Sequence, residues 1–233
     1  MDFVDQDEAA QIMYSSGFID GLGELNLKAR GALSKQEYKR NYKTGLADWL
    51  AVPVEDRQRL IGAVTVAKAR AGEKGYTSLS KMQWRFGCST GKKTENGWPH
   101  TIGDVIIIPM SALERRTDKE LVKLLVHEAV HVAQRKDPEG AEKFITEQLG
   151  FSLATDATKK YVRTLGEIRQ NPDVNNKLYE KDGVICLPVF YGNVTSLADV
   201  KYKPFEQFND MKWVNNPEHP YEIMAELISN KIM

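Results

Sequence analysis

Residues 124–135 read LLVHEAVHVAQR. His127 and His131 stand four apart, Glu128 sits beside the first, and nearly every other side chain is aliphatic. On an α-helix, positions i and i+4 share one face a turn apart, so both imidazoles can reach one ion at about 2.0–2.1 Å. Glu128 projects from the neighbouring position, too far round to join that face. It can instead take a proton from water polarised by the ion. The competing reading is a pair of core histidines satisfied by Glu128 or by backbone. Three unpaired polar side chains in so apolar a helix would cost on the order of several kcal/mol. A metal removes that penalty and accounts for the spacing as well.

The flanks agree with a central helix. Thr117-Asp118-Lys119-Glu120 is a capping box, in which the Thr117 hydroxyl and the Glu120 carboxylate exchange bonds with each other's backbone amides. The helix it starts is expected to run to Arg135 or Lys136, before Asp137-Pro138. Leu121, Leu124, Leu125, Val126, Val130 and Val132 cover nearly all its sides, which marks it as buried. Just upstream, DVIIIP at 104–109 is a β-branched run stopped by proline and predicts a strand.

Elsewhere the patterning predicts helices over 6–19, 34–51, 53–72, 139–149, 154–170 and 220–231. Residues 76–101, rich in Gly, Ser, Thr and Lys, predict loop or short strand, as do 183–192 and 200–205. Helices outnumber strands and no βαβ alternation shows, so the expected class is α+β. The expected division is a helical segment, 1–75, that docks to a partner or covers the cleft, and a catalytic domain, 76–233.

Zinc needs a third protein ligand and an open position. The other histidines are His100 and His219. The strongest downstream signal is PYEIMAE at 220–226, where Glu222 and Glu226 share one helix face while Ile223, Met224, Leu227 and Ile228 form the other. One carboxylate suits a ligand. The second suits an acceptor for the free N–H of a ligating histidine, which fixes its tautomer. Two solvated glutamates on a helix face are the plain alternative. His219, three residues before Glu222, is open to three roles: a ligand, a helix N-cap, or a catalytic donor to the oxyanion of a tetrahedral intermediate.

HEAVH followed about 90 residues later by E-x-x-A-E resembles the glutamate zincins, the thermolysin-like metallopeptidases. The resemblance covers roughly 103–135 and 216–229. It implies Zn²⁺ as cofactor, His127, His131 and Glu222 as ligands, Glu128 as general base, and Glu226 in the place of an acidic residue behind the ligands, where the family most often has Asp. It implies a zincin-like fold in which an edge strand before the active helix pairs with an extended peptide, which puts Ile106, Ile107 and Ile108 on the substrate. The family's downstream catalytic histidine has no clean match here, and His219, Tyr221, Tyr191 and His100 are the candidates for its task. The compact form is similar to small zincins of phage, viral and bacterial genomes.

Bulk composition narrows the alternatives. The 233 residues carry 32 basic and 32 acidic side chains, with no basic excess of the kind that nucleic-acid binding requires. Lys92-Lys93 reads as a solvated loop. Two cysteines form no metal-type pair, Cys88 being expected in a loop and Cys186 in a core run. The acidic start MDFVDQDEAA lacks a signal peptide's apolar stretch, and no run is long enough to span a membrane. The expectation is a cytoplasmic protein, or one packaged in a virion, acting on a peptide or protein substrate. The rival is a structural, virion-associated interaction protein that keeps the fold with little activity and joins a larger assembly through its N-terminal helices. An amidase of cell-wall crosslinks is a third reading, without a wall-binding repeat to support it.

Overall fold

The computed structural model describes residues 1–43, 49–91, 95–182, 185, 187–203 and 218–233. Cys186, Lys92-Lys93 and parts of the stretches expected to be extended at 183–192 and 200–205 lie outside them. The chain begins with β1 (Asp2–Phe3), α1 (Gln6–Ser15), α2 (Phe18–Gly21), α3 (Glu24–Ala29), α4 (Lys35–Lys43), β2 (Trp49–Leu50) and α5 (Val54–Glu73). The helix expected over 6–19 is cut in two because Gly17 takes a left-handed φ of 75°, open to a residue without Cβ. The middle third holds α6 (Thr77–Lys81), β3 (Arg85–Ser89), β4 (His100–Ile102), β5 (Val105–Pro109), α7 (Met110–Arg115) and α8 (Asp118–Lys136). The remainder is α9 (Pro138–Lys143), a π-helical turn at Phe144–Gln148, β6 (Ser152–Leu153), α10 (Asp156–Leu165), β7 (Glu167–Ile168), β8 (Tyr179–Glu180), β9 (Leu187–Phe190), β10 (Lys201–Lys203) and α11 (Pro220–Ile232). The class is α+β, as the pattern of elements predicts.

The main sheet runs β1-β3-β5-β4, with β2 paired to β3 as well. β5 is parallel to β3 and antiparallel to β4, so it is hydrogen-bonded on both sides. This corrects the expectation of an edge strand. Ile106, Ile107 and Ile108 are all buried, and Ile106 and Ile107 are paired with a strand on each side. Their uniform apolarity comes from burial of both faces. Ile106 and Ile108 point into a core shared with α5, α8 and α11, while Val105 and Ile107 point into a second core with Met13, Ile19, Leu22 and Tyr38. Cys88, expected in a loop, is a buried residue of β3.

Helices α1 to α4 of the N-terminal segment therefore form a layer on the far face of the sheet, while α5 packs on the near face beside α8. The segment supplies β1 and β2 to the sheet itself and residues to both cores, so no separate core marks a boundary at residue 75. A smaller antiparallel sheet, β10-β9-β7, and the pair β6-β8 complete the described residues. None of the described helices is long and apolar enough to cross a membrane.

Candidate metal centre

α8 begins where the capping box sets it, with Thr117 and Glu120 bonded reciprocally. Its apolar residues share one core with Ala225, Ile228 and Ile232 of α11, which fixes the two helices side by side. That packing brings Glu222 over the histidine face of α8. Glu222 Oε2 lies 3.2 Å from His127 Nε2 and 3.3 Å from His131 Nε2, and the two Nε2 atoms are 3.2 Å apart. Three donors each about 2.0–2.1 Å from one tetrahedral ion would be separated by about 3.3–3.4 Å. The triangle has the size such an ion requires, and His127, His131 and Glu222 could together hold a metal ion.

The outer shell fixes the tautomer of His131. Gln134 donates through Nε2 to the Tyr221 carbonyl (3.0 Å), so its Oε1 accepts from His131 Nδ1 at 2.9 Å. In the neutral ring, His131 Nε2 is then left bare for an ion. Glu226 stands 3.8 Å from His127 Nδ1, beyond hydrogen-bond range, and its other oxygen takes Lys123 Nζ (2.9 Å) and Asn230 Nδ2 (3.0 Å). Glu222 Oε1 accepts from Asn171 Nδ2 at 2.8 Å. Gln134 and Asn171 carry no distinctive signal in the sequence, since neither spacing nor residue type sets them apart from surface amides.

Glu128 is buried beside the triangle, and its Oε2 has no hydrogen-bond partner among the described residues. Burial, and then the Asp173 carboxylate, push it well above the usual carboxylate range. Burial alone would lower His131, but the charge and hydrogen bond of Glu222 push it up to about 9. Glu222 shows the converse: burial raises it, and the two imidazoles hold it well below its ordinary value. In the absence of an ion, the cluster is thus arranged around a proton held between bases.

Of the three roles open to His219, the structure shows the helix N-cap. Its Nδ1 accepts from the Tyr221 amide (3.1 Å), capping α11, so Nε2 carries the hydrogen and faces the Lys177 carbonyl at 3.2 Å. Desolvation pushes the ring down to about 4, which keeps it neutral, and no nitrogen remains for the cleft. The cleft, about 250 Å³, is lined by residues between Glu95 and Glu226, and none of the described residues of 1–75 is part of that lining. Of the four candidates for an oxyanion donor, His100 alone lines it. His100 Nδ1 is 2.9 Å from the Trp98 carbonyl, and its buried Nε2 has no partner among the described residues.

The edge strand beside β5, β4, is closed. Asp173 Oδ1 accepts from the Thr101 amide (2.5 Å), while Arg135 donates to the carbonyls of Thr101 (3.2 Å), Gly103 (3.1 Å) and Pro172 (2.6 Å). Pro99, next along the same edge, has no amide hydrogen. An extended peptide finds no free ladder there. The chain matches no protein-family model, no curated protein and no solved structure, so what this site does is read from its own geometry.

Proposed function

We propose that the protein is a zinc-dependent hydrolase of peptide bonds, of glutamate-zincin type, with His127, His131 and Glu222 holding the metal and Glu128 acting as general base. The observation that carries this is the triangle of Nε2, Nε2 and Oε2 with edges of 3.2–3.3 Å beside a buried carboxylate oxygen without a hydrogen-bond partner among the described residues. Bound zinc would supply Lewis acidity, lowering the pKa of water and polarising the scissile carbonyl. Glu128, desolvated and close to Asp173, is a stronger base than a solvated carboxylate, suited to receive the water's proton and pass it to the leaving amine. His131 is held in one tautomer by Gln134, and Glu222 is oriented by Asn171, so the donors need little reorganisation. His100 Nε2, in the cleft wall, is the candidate contact to substrate.

The closed β4 edge favours a second reading: an interaction protein of a larger assembly in which the metal stabilises the fold. One experiment separates the two. Zinc content is measured and a peptide library digested with the wild type, Glu128→Gln and His127→Ala. Hydrolysis predicts one zinc per chain, cleavage by the wild type, and a loss of about 10²–10⁴-fold in Glu128→Gln with zinc retained. His127→Ala should lose the metal. Zinc without cleavage by the wild type favours the structural reading, and undiminished cleavage by Glu128→Gln removes the assigned base.

A further inference from the structure

Asn171 stands between the buried carboxylate of Glu218 and the partly buried one of Glu222. Its Nδ2 donates to Glu222 Oε1 (2.8 Å) and to Glu218 Oε1 (2.5 Å). Its Oδ1 accepts from the Asp173 amide at 2.9 Å, so the side-chain amide has one orientation that satisfies all three partners. Glu218 is in turn held by Arg169 Nη1, at 2.9 and 2.7 Å to its two oxygens. Glu222 thus has one oxygen committed to Asn171 and the other, Oε2, facing the two imidazoles.

We propose that Asn171 is the positioning residue of the metal site: anchored on the Arg169–Glu218 pair, it occupies Glu222 Oε1 and so makes Glu222 a one-oxygen ligand. This rests on the zinc reading above. A carboxylate can bind through one oxygen or two, and a second oxygen would take the position that a water or a scissile carbonyl needs. A donor fixed on Oε1 favours one-oxygen binding, because turning that oxygen toward the ion would strain or break its hydrogen bond. The anchoring on Glu218 and Arg169 keeps the donor from following Glu222 if the carboxylate rotates.

The test uses Asn171→Leu, similar in shape but without donors, together with the wild type and His127→Ala. Zinc affinity is read by chelator competition and coordination by the visible spectrum of the cobalt(II)-substituted protein. Asn171→Leu should bind zinc about 10–100-fold more weakly. Its cobalt spectrum should lose intensity as coordination rises from four to five. A structural role alone would lower the melting temperature without moving the spectrum. Affinity within about twofold of the wild type and an unchanged spectrum would overturn the proposal, with the zinc reading intact. If Asn171→Leu does not fold, zinc-edge X-ray absorption on the wild type decides: one Glu222 oxygen near the metal supports the proposal, and two overturn it. A wild type that binds no more zinc than His127→Ala sinks both readings together.

Discussion

At His131, burial and charge pull against each other. Its side chain is 1% exposed, yet its ring is pushed up to about 9 because Glu222 faces it at 3.3 Å. The metal-free folded protein therefore keeps a proton that an unfolded histidine releases near its ordinary value of about 6.5. The stabilisation this gives is complete below about 6.5 and is lost as pH rises through about 9. The melting temperature of chelator-treated protein should accordingly fall by several degrees across that window. Zinc displaces the proton, so the rise in melting temperature caused by saturating zinc should grow with pH over the same range. Glu222→Gln removes the charge that holds the proton and should flatten the metal-free slope. Calorimetry from pH 6 to 9.5, with and without zinc, checks all three. A flat profile for the metal-free wild type would contradict the charged pairing of His131 and Glu222.

At the scale of elements, Arg135 is what closes the sheet. It lies two turns beyond His127 on α8, and its guanidinium reaches the carbonyls of Thr101, Gly103 and Pro172. Arg135→Met should leave those carbonyls without a donor and Asp173 without a nearby cation. The expected loss is about 2–3 kcal/mol, reduced from a buried-pair value because the side chain is only partly covered. The outer row of β4 would also become available to other chains, so concentration-dependent light scattering should rise. Denaturant midpoints within error of the wild type, with no scattering, would show that the edge does not depend on this residue. α8 could be read in advance because a capping box, an apolar surround and an i, i+4 pair all lie within one contiguous stretch. The interior position of β5 could not. That depends on β3, whose RFGCS lacks the alternation of a strand and whose pairing is set by residues far along the chain. Glu222 was legible as half of a spaced carboxylate pair, whereas Asn171, 51 residues from it, became a partner only through the fold.

For the whole molecule, a chain of buried charge ties the N-terminal layer to the candidate metal centre. Arg30 bonds Glu95 through Nε (2.6 Å) and Nη2 (2.9 Å), both side chains essentially unexposed. Arg169 lies 3.9 Å beyond Glu95 and leads through Glu218 and Asn171 to Glu222. A second tie is Glu167 of β7, which accepts the amides of Leu25 and Asn26 at the start of α3, both at 2.9 Å. A segment built in this way differs from a detachable cover, and the difference is measurable. Removal of residues 1–43 should abolish cooperative folding, since it strips β1 from the sheet and leaves Glu95 without Arg30. Arg30→Met is the gentler test. It takes the hydrogen-bonded cation from a buried carboxylate and should cost about 3–5 kcal/mol near neutral pH. Burial pushes Glu95 up, and Arg30 more than any other partner pulls it below its ordinary value. Without Arg30 the carboxyl should protonate in the folded state, so the deficit of the variant should shrink as pH falls toward 5. Urea midpoints of the two proteins at pH 7.5 and pH 5 read this directly. Equal deficits at both values, or a folded chain lacking residues 1–43, would show that the N-terminal layer is an appendage after all.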